Sequence, residues 1–186
     1  MLQLLCDPRI APLVDYSQFA FFTRNFVLGT SLDCPATSTA GYDNLTGPLA
    51  GSFERIGHHA VLITIPGADP SLRPSLYMSH QDVVPVVEGT ERNWTHPAFS
   101  GAAADGYIWG RGTLDIKNQV FGVLEAAEYL LVHGRSFART AYLAFGDDEE
   151  TLNLGAKAIS DHLKAQGVTL EFVLDEGGGK IESGAA

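Results

Sequence analysis

Four short stretches of the sequence hold residue types that can bind a cation or move a proton. His80 and Asp82 stand two apart in SHQDVV. A carboxylate so placed can hold an imidazole in one tautomer and raise its basicity as a metal ligand. Taken alone, a solvated histidine at a strand end is the commoner case. Asp115, in GRGTLDIK, precedes an apolar-periodic stretch. It reads either as a helix cap or as a carboxylate able to bridge two cations. Asp147, Asp148, Glu149 and Glu150 follow one another in GDDEET, directly after an apolar run. Four adjacent carboxylates repel one another. Exposed, they are a solvated charge run; set into buried sequence, they need a counter-charge that a cation cluster supplies. Two consecutive glutamates suit two jobs, one as ligand and one as general base. Asp175 ends FVLDEGGG, where glycines allow close backbone approach or merely a turn. Each stretch is weak by itself. Together they offer one His and several carboxylates without Cys, a donor set that fits a hydrolytic dimetal site better than a structural one.

The flanking sequence supplies elements to carry these groups. HAVLITI (59–65) is a β-branched run closed by Pro66-Gly67 and predicts a strand. SLYMSH (75–80), TAYLAFG (140–146) and LEFVLDE (170–176) predict three more. Residues 116–133 predict a helix, because Val120, Val123, Leu124, Ala127, Leu130 and Leu131 share one face and Gly134 is a natural C-terminal stop. Residues 154–166 predict a second helix, ended by Gly167. Residues 85–113, rich in Gly, Pro and aromatics, predict a long functional loop with a small hairpin around 107–109. Alternating strands and helices over 75–176 give an α/β fold, a mixed and largely parallel sheet with crossover helices. The acidic groups then fall at the C-terminal strand edge, where open α/β sheets bind ligands.

Composition narrows the function. The 186 residues carry 12 Lys and Arg against 22 Asp and Glu, a formal net charge of −10. That disfavours nucleic acid, whose phosphates require clustered cations, and a polybasic membrane patch. Cys6 and Cys34 are too few for a disulfide framework and lie apart from any Cys/His cluster. No apolar run reaches membrane-spanning length, and MLQLLCDPRI lacks the basic start of a signal peptide, so the expectation is a cytoplasmic protein. Residues 1–50 are the least informative. Tyr16, Phe19, Phe21, Phe22 and Phe26 suggest a buried helix or packed segment, followed by loop, so 1–50 reads as a segment packing on a domain of 51–186.

SHQDVVPV, WTHPAFSGAAADGYIWGRGTLDIKNQV, AFGDDEE and FVLDEGG, in that order and spacing, resemble the dizinc exopeptidase family of aminoacylases, carboxypeptidase S and related dipeptidases. The longer blocks look most like the carboxypeptidase S and N-fatty-acyl amino acid hydrolase branch. The resemblance covers roughly residues 51–181. It implies two zinc ions, with His80 and Asp175 on the first, Glu150 on the second, and Asp115 bridging both through a cis peptide bond to Ile116. It implies Asp82 as the group orienting His80 and Glu149 as general base. The implied substrate is a small peptide or N-acyl amino acid. Asp147 stands where that branch often has His, and Thr151, Leu152 and Asn153 replace a usual glycine-rich stretch. Family enzymes are much longer, with a lid or dimerisation domain and a later His for the second zinc, and here no His follows position 162. The expectation is an N-terminal portion of a catalytic domain, which the remainder of the catalytic and lid domains would complete. The alternative is an inactive remnant that binds a single metal ion.

Overall fold

A computed structural model describes residues 53–176. Seven strands and two helices run in the order β1 (Phe53–Ile56), β2 (Ala60–Ile65), β3 (Ser75–His80), β4 (Ala102–Ala104), β5 (Tyr107–Trp109), α1 (Asn118–Val132), β6 (Ala141–Gly146), α2 (Leu154–Ala165) and β7 (Phe172–Leu174). β4 and β5 form a separate antiparallel hairpin within the long loop. The remaining five strands make one sheet in the order β1-β2-β6-β3-β7. The sheet is mixed. β3 runs parallel to both β6 and β7, while β1-β2 and β2-β6 are antiparallel. Parallel pairing therefore holds only for the half that carries the acidic motifs.

The two helices cover opposite faces, which explains the apolar runs. On one face Val120, Leu124 and Ala127 of α1 pack on Val61, Ile63, Leu143 and Phe145. On the other, Ile159 and Leu163 of α2 pack on Ile56, Leu62, Leu76 and Ala144. A strand covered on both sides loses the apolar/polar alternation, so β2 and β6 read as continuous hydrophobic stretches. Each such buried aliphatic side chain contributes roughly 1.5–3 kcal/mol. Gly134 takes φ 68° beyond α1, and the Arg135 N–H closes back on the Leu130 carbonyl. Only a residue without Cβ adopts that left-handed turn at little cost.

Three elements depart from expectation. β1 was not foreseen: FERI is short and carries two charges on exposed positions. α1 begins at Asn118 and not at 116, because Asp115 (φ −121°, ψ 90°) and Ile116 (φ −140°, ψ 30°) leave helical geometry. β7 is shorter than 170–176. Among the described residues it sits at the sheet edge, paired on one side only, and Phe172, Val173 and Leu174 are 45%, 51% and 54% exposed. Beside it a groove of about 520 Å³ is lined by Tyr77, Val123, Leu130, Phe137 and Leu174 among others. The aromatic cluster expected within residues 1–50 lies outside the described residues. No described helix is long and apolar enough to cross a membrane.

Candidate metal centre

Because β3, β6 and β7 are mutually parallel through β3, their C-terminal ends share one edge of the sheet. His80 closes β3 opposite Gly146, the last residue of β6. The acidic run 147–150 and the pair Asp175-Glu176 follow β6 and β7 there. Asp115 arrives by another route: it lies in a wide turn, Thr113–Lys117, leading into α1. Three of the motifs thus come from strand ends at that edge and the fourth from a turn.

Asp82 organises the centre. It is buried, and its two carboxylate oxygens accept the backbone N–H groups of Glu149 (3.1 Å) and Glu150 (3.0 Å). The same carboxylate lies 3.3 Å from His80 Nδ1, and that nitrogen donates to the Asp82 backbone carbonyl at 3.0 Å. With Nδ1 held as a donor, Nε2 is the atom the imidazole would offer a cation once its own proton is lost. Nε2 faces Asp115 Oδ1 and Glu176 Oε1, each at 3.1 Å, and Glu149 Oε2 at 3.9 Å.

The charges respond to this crowding. Burial disfavours the imidazolium, yet the Asp82 hydrogen bond and the Glu176, Asp82 and Asp115 carboxylates outweigh it, and the His80 pKa is pushed up to about 9. Burial also opposes ionisation of Asp82, but His80 and the two backbone amides hold its carboxyl below the usual range. Glu150 moves the other way. Burial raises its pKa, and Asp115, Glu149 and Asp82 add to this against the opposing effect of His80. Burial likewise raises that of Glu176, with neighbouring carboxylates adding to it and His80 opposing.

The acidic run divides into distinct tasks. Asp148 turns away from the centre and accepts the N–H groups of Leu154 (2.9 Å) and Gly155 (2.7 Å), satisfying the start of α2. Glu149 and Glu150 turn toward His80, and the three form one group whose ligand atoms lie within 4.8 Å of one another. Asp115 makes no capping bond to α1; the residue preceding that helix is Lys117. The peptide bond from Asp115 to Ile116 is cis. Gly112 opens the turn at φ 79°, and a Cβ there would collide with the Val83 side chain.

His80, Asp82, Asp115, Glu149 and Glu150 are therefore brought together. Asp175 is exposed, and its carboxylate accepts its neighbour's N–H at 2.9 Å. The carboxylate from the β7 end that reaches His80 belongs to Glu176, in a second group with His80 and Asp115. Sequence reasoning passed over Glu176. The signal available was the Asp-Glu pair itself, since neighbours in extended chain point to opposite sides and either can face the site.

The donor set fits a divalent cation. It consists of one imidazole nitrogen and carboxylate oxygens, ligands that zinc accepts. Glu150 Oε1 is buried with no hydrogen-bond partner among the described residues, and a cation at this site would satisfy it.

The sequence profile described as peptidase family M20/M25/M40 matches residues 76–185. Another, described as spore coat protein CotA-like, matches residues 1–80, under half of the chain. The chain is 46% identical over 125 residues to the N-fatty-acyl-amino acid synthase/hydrolase PM20D1 of Homo sapiens, covering 67% of this chain and 24% of that protein. It is 38% identical over 135 residues to carboxypeptidase S of Saccharomyces cerevisiae, covering 70% and 23%. The chain thus spans about a quarter of the length of these relatives. Among solved structures, human carnosine dipeptidase 1 superposes with a TM-score of 0.71 at 14% identity, covering 92% of this chain and 41% of that one. The M20 metallo-carboxypeptidase Sso-CP2 of Sulfolobus solfataricus gives 0.63 at 22%, covering 86% and 38%. At such identities these two bear on the fold alone.

Proposed function

The chain belongs to the peptidase family M20/M25/M40, and from that premise we propose that its site serves zinc-dependent hydrolysis of the amide bond in a small peptide or N-acyl amino acid. The observation that carries this reading is the convergence of Asp82-held His80 with Asp115, Glu149 and Glu150 at one strand edge. In this reading two zinc ions are held by His80, Asp115, Glu150 and a carboxylate from the β7 end, Asp175 or its neighbour Glu176. When bound, they supply Lewis acidity that makes water a nucleophile near neutral pH and polarises the scissile carbonyl. The chain's own residues do the rest. Asp82 fixes the His80 tautomer and the backbone of both glutamates. Glu150 and Asp115 offer their carboxylates as ligands. Glu149, the more exposed of the two glutamates, takes the proton from the attacking water and returns it to the leaving amine.

A second reading rests on the single histidine in the described cluster. The 186 residues bind one cation and turn nothing over, and turnover needs the remainder of a family-length protein. One experiment separates them. The chain is loaded with zinc, its metal content measured, and dipeptides and N-acyl amino acids are supplied as substrates. Bound zinc that His80→Ala abolishes, together with hydrolysis, supports the first reading. Bound zinc without hydrolysis supports the second, and no zinc at all refutes both.

A further inference from the structure

Asp115 has a weak claim to its own position. Its side chain is 66% exposed, and its one hydrogen-bond partner among the described residues is His80. Its backbone and that of Ile116 stand outside helical geometry, so the turn is not a regular extension of α1. Contacts beyond the helix ladder therefore bear on where Asp115 stands.

Lys117 supplies such contacts. Its backbone N–H closes the turn on the Gly112 carbonyl at 2.8 Å. Its ammonium crosses to the Gln81 carbonyl, also at 2.8 Å. Gln81 is the residue between His80 and Asp82, and it is locked in place. Its N–H donates to Gly146, and its side-chain amide donates to the carbonyls of His59 and Phe145. One ammonium therefore links the turn carrying Asp115 to the immobile segment carrying His80 and Asp82. Buried Ile116, and the Gln119 amide at the start of α1, which donates to the Met78 carbonyl of β3 at 2.8 Å, add to the docking of this region but do not touch the Gln81 carbonyl.

We infer that Lys117 is a positioning residue: through the Gln81 carbonyl it sets where the Asp115 carboxylate stands opposite His80, and thereby the affinity of the cation site. The inference rests on the proposed cation-binding reading of that site. Residues that orient metal ligands without touching the metal typically cost 10–100-fold in affinity when lost.

The test is a Co²⁺ titration of the 186-residue chain, followed by visible absorption, with Lys117→Met, Lys117→Arg, Asp115→Asn and the Lys117→Met/Asp115→Asn double variant. Saturable Co²⁺ binding by the unsubstituted chain that Asp115→Asn weakens establishes the underlying site. Its absence refutes that reading, and the inference falls with it. Given the site, Lys117→Met is expected to keep the far-UV circular dichroism, to lose about 10–100-fold in affinity and to alter the Co²⁺ spectrum. Lys117→Arg, which retains a cationic donor, should recover most of the affinity. The double variant should bind no more weakly than Asp115→Asn within about twofold, because two residues acting through one contact do not add. If Lys117→Met fails to fold, Lys117→Gln takes its place under the same criteria. Unchanged affinity and spectrum, or losses that multiply in the double variant, overturn the role.

Discussion

Asp82→Asn tests the organisation of the centre most directly. In the parent, one ionised carboxylate accepts two backbone amides, at 3.1 and 3.0 Å, and faces His80 Nδ1 at 3.3 Å. The amide has nearly the same shape but only one acceptor oxygen. Its NH₂ group must point at one of the two backbone N–H groups, or at His80, and leaves that donor unpaired in a buried place. A hydrogen bond to a charged group contributes about 1.5–3 kcal/mol, and an unsatisfied buried donor costs about 1–3 kcal/mol. The net loss should be on the order of 3 kcal/mol, which for a chain of this size lowers Tm by roughly 6–12 °C. The same substitution loosens His80, so metal affinity should fall about 10–100-fold. The pH dependence follows from the depressed Asp82 pKa. Its contribution is present above the ordinary carboxylate pKa of about 3.8 and disappears as pH falls through the lower folded value. The variant should therefore lose that part of the acid-side decline. Thermal unfolding from pH 2 to 7 and a zinc titration measure all three effects. A Tm within about 2 °C of the parent, with affinity changed less than twofold, would refute the assignment of Asp82 as the organising group.

Three further outcomes are expected. In a family-length protein, Glu149→Gln should keep its zinc and lose about 10²–10⁴-fold in turnover, whereas Glu150→Gln should lose metal; zinc content measured beside kcat checks both, and a Glu149→Gln protein that sheds metal but keeps its rate per bound zinc reverses the roles. In the metal-free chain, Glu176→Gln should lower the His80 pKa from about 9 toward 6.5, since Glu176 is one of the carboxylates raising it against burial; stability gained from that raised value is whole below about 6.5 and lost as pH rises through about 9, so the variant should unfold with a flatter profile across that window, and an unmoved imidazole signal in an NMR titration would remove Glu176 from the cluster. Val173→Lys should reduce concentration-dependent association in sedimentation runs, because an apolar strand that is an edge among the described residues templates pairing, and identical sedimentation would show that β7 is not the sticky edge.

What the sequence disclosed depended on how local the signal was. The strands 60–65 and 141–146 were legible because burial on both faces leaves nearly unbroken apolar runs, and 75–80 because it follows Pro74 as a short β-type run. The His80-Asp82 spacing was legible because both residues fall on one strand end. The division of the acidic run was not. Asp148 serves a helix that starts six residues later, and only the loop geometry reveals that its oxygens face Leu154 and Gly155. The exemption of Asp115 from capping was hidden for a similar reason, since it depends on backbone angles at two residues. β1 escaped because four residues with two charges make no pattern until β2 is beside them. Glu176 escaped because Asp175 came from the family pattern, while the side-chain direction is set by how β7 ends.

The local rules fail together at one place, and that coincidence bears on function. Asp82, Asp115, Glu149, Glu150 and Glu176 surround one imidazole, and a sheet edge built only for stability would not gather them. The arrangement is tolerated in the metal-free chain by compromise. His80 holds a proton well above its ordinary pKa, and burial with neighbouring carboxylates raises the pKa of Glu150 and Glu176. A divalent cation at the imidazole would displace the His80 proton, so its binding is expected to grow stronger as pH rises toward about 9. It must also stabilise the fold by mass action, by about 2.7 kcal/mol at a hundredfold excess over Kd. Cation affinity and fold stability are thus two readings of the same crowded carboxylates, and Asp82, which ties His80 to Glu149 and Glu150, is where the two meet.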